Sequence, residues 1–363
     1  MQCGRSSGSS ASAADSAMTT PAEHLISVDG SDVRFACAEG DTLLRAALRA
    51  GVGLAYECNS GGCGSCRYDL VEGEMHDRRP DAPGLSPRDR RKGRKLACQS
   101  QPRSDCTIKV GQMVGQARHR PFRQTAQLRS KTLLTHDMQE FVFAAQSHAG
   151  FRPGQYAMIT LPDGQVERAY SMSNLGNCYG EWKFVVKRMP GGRATAALFD
   201  DTEVGSEVTL DGPFGHAYLR EDGNRRIVCA GGGSGLGAMI SIVLGVAARP
   251  DSRDWTVHLF CGGRTRKDLH IPESIAFAGR QLGALNVHTA ISDEHDDGVR
   301  AEVEGAEPFR GFLHEAVLDR LAGSLTDFTY YAAGPPAMTD ALARALVLDA
   351  GVAADHLHYD RFC

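Results

Sequence analysis

The sequence lacks the features of several large classes of protein. No stretch reaches the eighteen or so apolar residues that a membrane-spanning helix needs. The formal net charge is only −4, which argues against the broadly basic surface that nucleic-acid binding usually requires. Residues 1–18 contain no apolar run of the kind found in secretion signals, and we expect residues 1–22 to be a disordered tail. We therefore expect no membrane and no nucleic-acid partner.

Cysteine is abundant but does not follow the pattern of an exported protein. The chain has eleven cysteines, an odd number, and no export signal is recognisable. We therefore expect no secreted disulfide framework, and we expect a reducing, cytoplasmic location. With 363 residues the chain is long enough for two or three domains.

Three cysteines lie within the eleven residues YECNSGGCGSC, at Cys58, Cys63 and Cys66, and 31 residues separate Cys66 from Cys98. A disulfide knot, a zinc site and an iron–sulfur cluster are the alternatives. Zinc sites usually combine two short-spaced pairs, and Cys98 has no such partner, although zinc remains an alternative. The spacing C-x4-C-x2-C followed by a distant fourth cysteine is that of plant-type [2Fe–2S] ligands, so these four residues are the predicted metal ligands.

The glycines and flanking segments of the cysteine loop agree with a cluster. Gly61, Gly62 and Gly64 permit backbone conformations and close approach that a side chain would block. Before the loop, residues 24–40 predict a hairpin, and residues 41–51 predict a capped amphipathic helix. Together these segments resemble a plant-type ferredoxin, which implies a β-grasp domain over residues 23–112.

The middle of the chain predicts a second domain. Residues 113–121 are polar and contain glycine, so we interpret them as a linker. Beyond them, short segments of alternating hydrophobicity such as QYAMITL and WKFVVKRM are separated by turn residues. This pattern predicts an antiparallel β-barrel over residues 122–222.

Motifs in the second domain resemble the FAD domain of the ferredoxin–NADP reductase superfamily. They are RAYSMSN from Arg168, a glycine turn followed by Thr195, and GPFG at residues 212–215. The resemblance implies that Arg168 contacts the FAD pyrophosphate and that Tyr170 packs on the isoalloxazine. It also implies that Ser171 approaches the flavin N5 and that Gly192 with Thr195 holds phosphate.

The last third, residues 223–363, predicts a Rossmann-like nucleotide domain. A buried-type strand, a glycine turn and an apolar helix follow one another between residues 225 and 248. The usual acidic residue is missing at the end of the next strand, TVHLFCGG. The same superfamily has comparable motifs, although Ala238 stands where it usually has proline and Ala333 where it often has cysteine. By this resemblance the nucleotide-binding residues are Gly232, Gly233, Ser234, Gly235, Arg264, Gly334 and Pro335.

The C-terminal segment HYDRFC ends in an aromatic residue followed by cysteine. In the superfamily an aromatic near the C-terminus covers the flavin where nicotinamide approaches, which implies this role for Phe362. The alternative is a strand end that packs on the last helix.

The order of ferredoxin, flavin barrel and nucleotide domain resembles that of oxygenase reductases, particularly those of toluene monooxygenases. The resemblance implies an oxidoreductase that passes electrons from NADH through FAD and a [2Fe–2S] cluster to a diiron oxygenase or its small carrier protein. No diiron Glu-x-x-His pair, triad or metal-hydrolase motif is present, so oxygen chemistry is expected on the partner. A Rieske dioxygenase reductase, or a redox sensor or binding module, are the alternatives.

Two further points concern the coenzyme and the partner. The resemblance implies NADH, whereas the missing acid together with Arg264 and Arg266 would also suit the 2′-phosphate of NADPH. Residues 88–98 contain six basic side chains beside the fourth cysteine. They form either a basic rim that attracts an acidic oxygenase surface or an ordinary solvated loop.

Overall fold

The computed structural model describes residues 22–111, 113–117, 119–164, 166–293 and 307–362. These residues form two compact units, which are described separately. The first contains the residues up to Tyr56 and those from Gly64 to residue 117, and the second contains Glu57–Cys63 and the residues from His119 onward. The predicted N-terminal tail lies outside the described residues except for residue 22.

The first unit is built on a mixed five-stranded sheet. The strands of the unit as a whole are β1 (Glu23–Val28), β2 (Arg34–Ala38), β3 (Val52–Leu54), β4 (Arg67–Glu72), β5 (Met75–Asp77), β6 (Lys95–Leu96), β7 (Ser100–Pro102), β8 (Cys106–Val110) and β9 (Met113–Gln116). The sheet order is β2-β1-β8-β4-β6, and β1 runs parallel to β8 whereas the other pairs are antiparallel. The predicted hairpin and β-grasp arrangement are confirmed.

Two short helices complete this unit: α1 (Leu43–Arg49) and α2 (Pro87–Arg91). The predicted cap of α1 is present, since the Thr42 hydroxyl accepts a hydrogen bond from the Arg45 amide. The prediction of an amphipathic helix is wrong, because all residues from Leu43 to Leu48 are buried. The helix packs against both β2 and β3, so it has no broad solvent-facing side.

The predicted linker begins as regular structure. Residues 113–116 form β9, which pairs with β3 in a two-stranded sheet. Gly53 permits this close approach, because a Cβ there would lie 2.8 Å from the Gly115 carbonyl oxygen. Glycine-containing polar sequence was interpreted as a linker, but here the glycines allow two backbones to pair closely.

The first part of the second unit is a nearly closed antiparallel barrel, as predicted. Its elements are β10 (Phe122–Leu133), β11 (Met138–Ala145), β12 (Tyr156–Thr160), β13 (Glu167–Ser171), β14 (Glu181–Lys187), α3 (Arg193–Ala196) and β15 (Glu207–Phe214). The strand order is β13-β12-β15-β10-β11-β14. A bridge between Met172 and Phe184 brings the two ends of the sheet together. Alternating inward residues such as Phe141, Phe143 and Phe184 fill the interior.

The rest of the second unit is a parallel, doubly wound sheet. Its elements are β16 (Arg226–Gly232), α4 (Leu236–Ala247), β17 (Thr256–Gly263), α5 (Glu273–Gly279), β18 (Ala284–Ile291), β19 (Phe309–Arg310), α6 (Leu313–Arg320), β20 (Thr329–Gly334), α7 (Pro336–Ala343) and β21 (Leu357–Arg361). Cys229 and Val228 belong to hydrophobic clusters on opposite faces of the sheet, as expected for a strand covered on both sides.

In the strand order β19-β18-β17-β16-β20-β21, strands β17 to β19 extend the parallel sheet on one side of β16 and β20 and β21 extend it on the other, so the strand order reverses between β16 and β20. In sheets of this kind ligands bind outside the carboxyl ends of the strands at such a point. Every described helix is too short or too polar to span a bilayer.

Candidate functional site

The segment Glu57–Cys63 in the second unit is organised around the sulfur of Cys58. The amides of Ser60, Gly62 and Cys63 donate to this sulfur at 3.5, 3.3 and 3.4 Å. The Cys63 side chain and the Ser60 donors lower the pKa of Cys58 to about 4, against the opposing effect of burial. A thiolate is the form that binds metal, so this segment fits a metal-bound cysteine.

The other two predicted ligands lie in the first unit. The sulfurs of Cys66 and Cys98 are 3.4 Å apart and both residues are buried. This distance is too long for a disulfide, which needs about 2.05 Å. It is close to the separation of about 3.8 Å that two thiolates have on one tetrahedral metal with bonds of about 2.3 Å.

Neighbouring backbone and side-chain groups also fit a bulky sulfur cluster. Gly64 has φ +79°, and a Cβ there would lie 2.3 Å from the Gly84 carbonyl oxygen. The Asn59 side chain is buried, and neither of its polar atoms has a hydrogen-bond partner among the described residues. Such an orphaned amide would find an acceptor in cluster sulfur, so the residues present fit a [2Fe–2S] group.

A cavity of about 700 Å³ lies in the second unit at the carboxyl ends of β16 and β20. On the barrel side it is lined by Arg168, Tyr170, Ser171, Gly192 and Thr195. On the nucleotide side it is lined by Gly232, Gly233, Ser234, Arg264, Pro335 and Phe362. Cys58 and Cys63 line it as well. Residues from three separately predicted sites therefore share one cavity, whose size and polar groups fit a flavin and a nicotinamide.

Three of the residues predicted to bind FAD, Arg168, Tyr170 and Ser171, lie on strand β13. Ser171 is buried at the end of the strand. Burial raises the pKa of Tyr170 to about 12, although the positive charge of Arg168 opposes the shift. The Arg168 guanidinium donates to the Glu167 carbonyl at 2.7 Å. The phenol therefore stays neutral and can offer a flat, uncharged ring to a cofactor.

Thr195 holds the glycine turn in shape. Its hydroxyl accepts from the Met189 amide at 3.1 Å and donates to the Gly192 carbonyl at 3.1 Å. Gly191 has φ +68° within the turn. The hydroxyl proton is thus used inside the turn. A phosphate bound there would contact backbone amides and would come close to the backbone at Gly192, but it would find no free O–H donor on Thr195.

Gly235 and Gly334 do not line the cavity but shape its wall. A Cβ at Gly235 would lie 2.1 Å from the Ala333 carbonyl oxygen, and Gly334 has φ +152°. These two glycines let the turn after β16 lie directly against the end of β20. The Phe362 amide donates to the Gly334 carbonyl at 3.0 Å, so the C-terminal aromatic both follows a strand and lines the cavity.

Arg264 is held in a network of charges. Its guanidinium lies 3.6 Å from Asp268 Oδ1 and 3.8 Å from Asp137 Oδ2. Lys187 Nζ lies 3.1 and 3.0 Å from the same two oxygens. Burial would raise the pKa of Asp268, but the Thr265 amide and Lys187 hold it below its usual range. Arg266 forms its own ion pair with Glu307.

Several cavity residues were not found from the sequence, and Phe312 is one of them. Phe312 is 59% exposed at the cavity wall. Its backbone is fixed, because its amide donates to Glu315 Oε2 at 2.7 Å and the preceding Gly311 amide donates to Ile291 at 2.9 Å. A hydrophobic residue directly after a strand-ending glycine was the only available signal.

Asp360 is another such residue. It is half-buried at the cavity wall, yet its Oδ2 is shielded from solvent and has no hydrogen-bond partner among the described residues. Burial, with a smaller contribution from the charge of Glu57, raises the pKa of Asp360 to about 7. Its position two residues before Phe362 was the only clue in the sequence.

The basic stretch in the first unit separates into two groups. Arg90 donates to the carbonyls of Pro80, Asp81, Ala82 and Leu85, and Arg94 and Lys95 pair with carboxylates. Arg88, Arg91 and Lys92 are exposed. Half of the predicted basic rim therefore stabilises the fold.

Comparisons with known proteins match each part of the chain. A 2Fe-2S iron-sulfur cluster binding domain matches residues 26–103, an oxidoreductase FAD-binding domain residues 125–218, and an oxidoreductase NAD-binding domain residues 230–344.

Several relatives match over most of their length. The ferredoxin–NAD(P)(+) reductase CarAd of Metapseudomonas resinovorans is 38% identical, over 90% of this chain and 96% of the relative. The ferredoxin–NAD(+) reductase component of the alkene monooxygenase system of Xanthobacter autotrophicus is 38% identical, over 90% of this chain and 97% of the relative. The xylene/toluene monooxygenase electron transfer component XylA of Pseudomonas putida is 31% identical, over 94% of each chain.

The fold also matches solved structures. The ferredoxin reductase in carbazole 1,9a-dioxygenase superposes with a TM-score of 0.83 at 34% identity, covering 94% of this chain and 99% of that one.

Proposed function

Because the chain belongs to the ferredoxin–NAD(P)+ reductases that serve as reductase components of multicomponent oxygenases, we propose that it delivers electrons from NADH to a diiron monooxygenase, directly or through a small carrier protein. The family membership makes the chain an oxidoreductase with FAD-, NAD- and [2Fe–2S]-binding domains, rather than a sensor or binding module. The observation that carries the proposal is one cavity lined by Ser171, Phe362 and Cys58 together.

FAD accepts two electrons from a nicotinamide and releases them singly, which suits a one-electron cluster. In our proposal Arg168 binds the FAD pyrophosphate, Tyr170 and Ser171 orient its ring, and Gly192 with Thr195 shapes the phosphate turn. Phe362 excludes water from the ring face. The four cysteines Cys58, Cys63, Cys66 and Cys98 bind the cluster.

The nucleotide side binds the coenzyme in this proposal. Gly232, Gly233, Ser234 and Gly235 form the turn under the diphosphate, and Gly334 and Pro335 close the end of β20. Phe312 offers an exposed, rigidly mounted ring on this side, and we assign it to the adenine base. The domain boundaries 23–112, 122–222 and 223–363 are part of the proposal, and each contains one of the matched domains.

The proposal is tested by isolating the protein with its cofactors. We expect one FAD, two irons and two sulfides per chain, together with NADH-dependent reduction of cytochrome c. Stoichiometric zinc in place of iron, with NADH oxidation limited to flavin-directed acceptors, would contradict it.

We propose NADH as the coenzyme because both candidate arginines are engaged by carboxylates. Arg264 lies over Asp137 and Asp268, and Arg266 pairs with Glu307. A 2′-phosphate would compete with these partners. Glu307→Gln should raise the ratio of kcat/KM for NADPH to that for NADH by up to about fivefold. Asp319→Asn, an exposed carboxylate next to Arg320, is the control, and equal ratios in both variants would contradict the assignment.

The partner type has two candidates. Similarity of the cysteine loop and of residues 80–99 to toluene monooxygenase reductases supports a diiron monooxygenase. The match to the carbazole 1,9a-dioxygenase reductase over 94% of the chain favours a Rieske dioxygenase as the second candidate. Purified oxygenases of both types, each supplied with this reductase, distinguish them by the rate of NADH-dependent product formation.

We propose that Arg88, Arg91 and Lys92 attract an acidic surface of that partner. Reversing Arg91 and Lys92 should slow partner reduction and weaken its salt dependence, whereas Lys109→Glu, an exposed residue on β8, should not. Arg90 is left intact because it holds four carbonyls. Thiolate ligands require a reducing compartment, so we place the enzyme in the cytoplasm.

A further inference from the structure

Tyr156 connects the barrel to the segment that carries two of the cysteines. It lies on β12, lines the cavity and is 4% exposed. Its hydroxyl donates to the Glu57 carbonyl oxygen at 2.6 Å. Glu57 directly precedes Cys58, so this hydrogen bond ends one residue from a predicted cluster ligand.

The barrel holds the Tyr156 side chain rigidly. Its backbone is paired with Ser171 on one side and Phe214 on the other. Its ring packs against Phe214 with centroids 5.8 Å apart. Gly215, with φ +101°, passes so close that a Cβ there would lie 3.0 Å from the ring. The position of the hydroxyl is therefore fixed. Ser171, the residue assigned to the flavin ring, is the residue on β13 that pairs with Tyr156.

The segment that receives this hydrogen bond turns tightly around the Cys58 sulfur. Asn59 adopts φ +51°, a conformation that a non-glycine residue keeps only with support from its surroundings, whereas Gly61 accepts φ +85° without strain. The three amides that surround the Cys58 sulfur come from the same short segment. A shift at Glu57 would move the Cys58 sulfur and its donors together.

We propose that Tyr156 is a positioning residue that holds Glu57–Cys63 at the flavin cavity and thereby sets the rate of cluster reduction. The proposal rests on the proposed function. Each transfer removes one electron from reduced FAD and adds one to the oxidised cluster, so two transfers use one NADH. Tyr156 keeps its proton throughout and acts only through the position of the segment.

The test compares Tyr156→Phe with Tyr330→Phe in the fully loaded protein. Tyr330 is a matched control because it is equally buried and its hydroxyl donates to a loop carbonyl, that of Leu325, at 2.7 Å. One readout is hydrogen exchange of the amides in residues 57–63. The other is anaerobic stopped-flow with NADH, in which flavin bleaching and cluster reduction are followed separately.

In Tyr156→Phe we expect the 57–63 amides to exchange about fivefold faster, since one ordinary hydrogen bond is lost. We also expect cluster reduction to slow more than flavin bleaching does, with Tyr330→Phe matching the wild type. Unchanged exchange, or equal slowing of both phases, would overturn the proposal. If NADH failed to reduce the cluster in the wild type, the proposed function would be wrong. The exchange measurement would still show whether the Tyr156 hydrogen bond holds residues 57–63 in place.

Discussion

The cysteine loop and the cavity, the two proposed cofactor sites, are built in opposite ways. In the loop, the Cys58 sulfur and the three backbone amides that donate to it come from one short segment. The cavity is assembled from side chains that are far apart in sequence, such as Arg168, Arg264 and Phe362. A locally built site should fail completely when one ligand is lost, because no other group can replace it. A site built from many distant groups should lose function in steps.

The largest expected effect is at the cluster, where the comparison predicts complete loss. Cys98→Ser should abolish the [2Fe–2S] EPR signal and cytochrome c reduction, because the cluster needs four thiolates. NADH-dependent ferricyanide reduction at the flavin should persist. Cys106→Ser is the control. Cys106 is buried and its thiol donates to the Glu74 and Ser104 carbonyls, and a serine hydroxyl at this position can make the same hydrogen bonds. Parallel loss of flavin activity would show that the two sites are not separable.

The next effect concerns the wall of the cavity. Gly235→Ala should destabilise the protein by at least about 1–3 kcal/mol and weaken NADH binding, because the added Cβ would meet the Ala333 carbonyl at 2.1 Å. Gly279→Ala, where the nearest atom is the end of the Leu285 side chain at 3.3 Å, should cost much less. Urea unfolding and NADH titration measure both quantities. Equal costs at the two glycines would contradict this account of the turn.

A smaller, graded effect is expected at Phe312. Phe312→Ala should raise the KM for NADH about tenfold with little change in kcat, since base stacking on an aromatic ring is lost. Reduced nicotinamide mononucleotide lacks adenine and should be used equally well by variant and wild type. Phe312→Tyr should restore the NADH KM. A matching loss with the mononucleotide would place Phe312 at the nicotinamide end instead.

The smallest effect is a pH dependence of stability at Asp360. Its pKa is about 7 in the folded protein and close to 3.8 when unfolded, so the folded state binds the proton more tightly. This contribution is complete below pH 4 and is lost as pH rises through 7. Between pH 4 and 7, Asp360→Asn should therefore become more stable than the wild type, by up to about 1 kcal/mol once screening at a half-buried residue is allowed for. Thermal unfolding from pH 5 to 8 measures the difference, and parallel curves would contradict it.

The same contrast explains what could be predicted from the sequence. The predicted ligands Cys58, Cys63 and Cys66 can be recognised in the sequence because their spacing is local, and the glycine turn at 232–235 can be recognised for the same reason. Phe312 and Asp360 reach the cavity only through the strand order of the sheet. A single acidic or aromatic residue at a strand end carries no local pattern, so neither could be assigned in advance.

The errors in the local structure have a similar origin. Helix α1 was expected to have a solvent-facing side, but β2 and β3 cover it. Residues 113–116 have the composition of a linker, but Gly53 and Gly115 allow a strand pair to form. In both cases a partner distant in sequence decided the outcome, and periodicity within the segment does not report such partners.

The central claim is that electrons pass from NADH through FAD to the cluster within this one chain. Its most direct test is an anaerobic titration of the fully loaded protein with NADH, followed by visible absorption and EPR. We predict bleaching of the flavin band together with the signal of a reduced [2Fe–2S] cluster. Flavin bleaching with no cluster signal would contradict the claim.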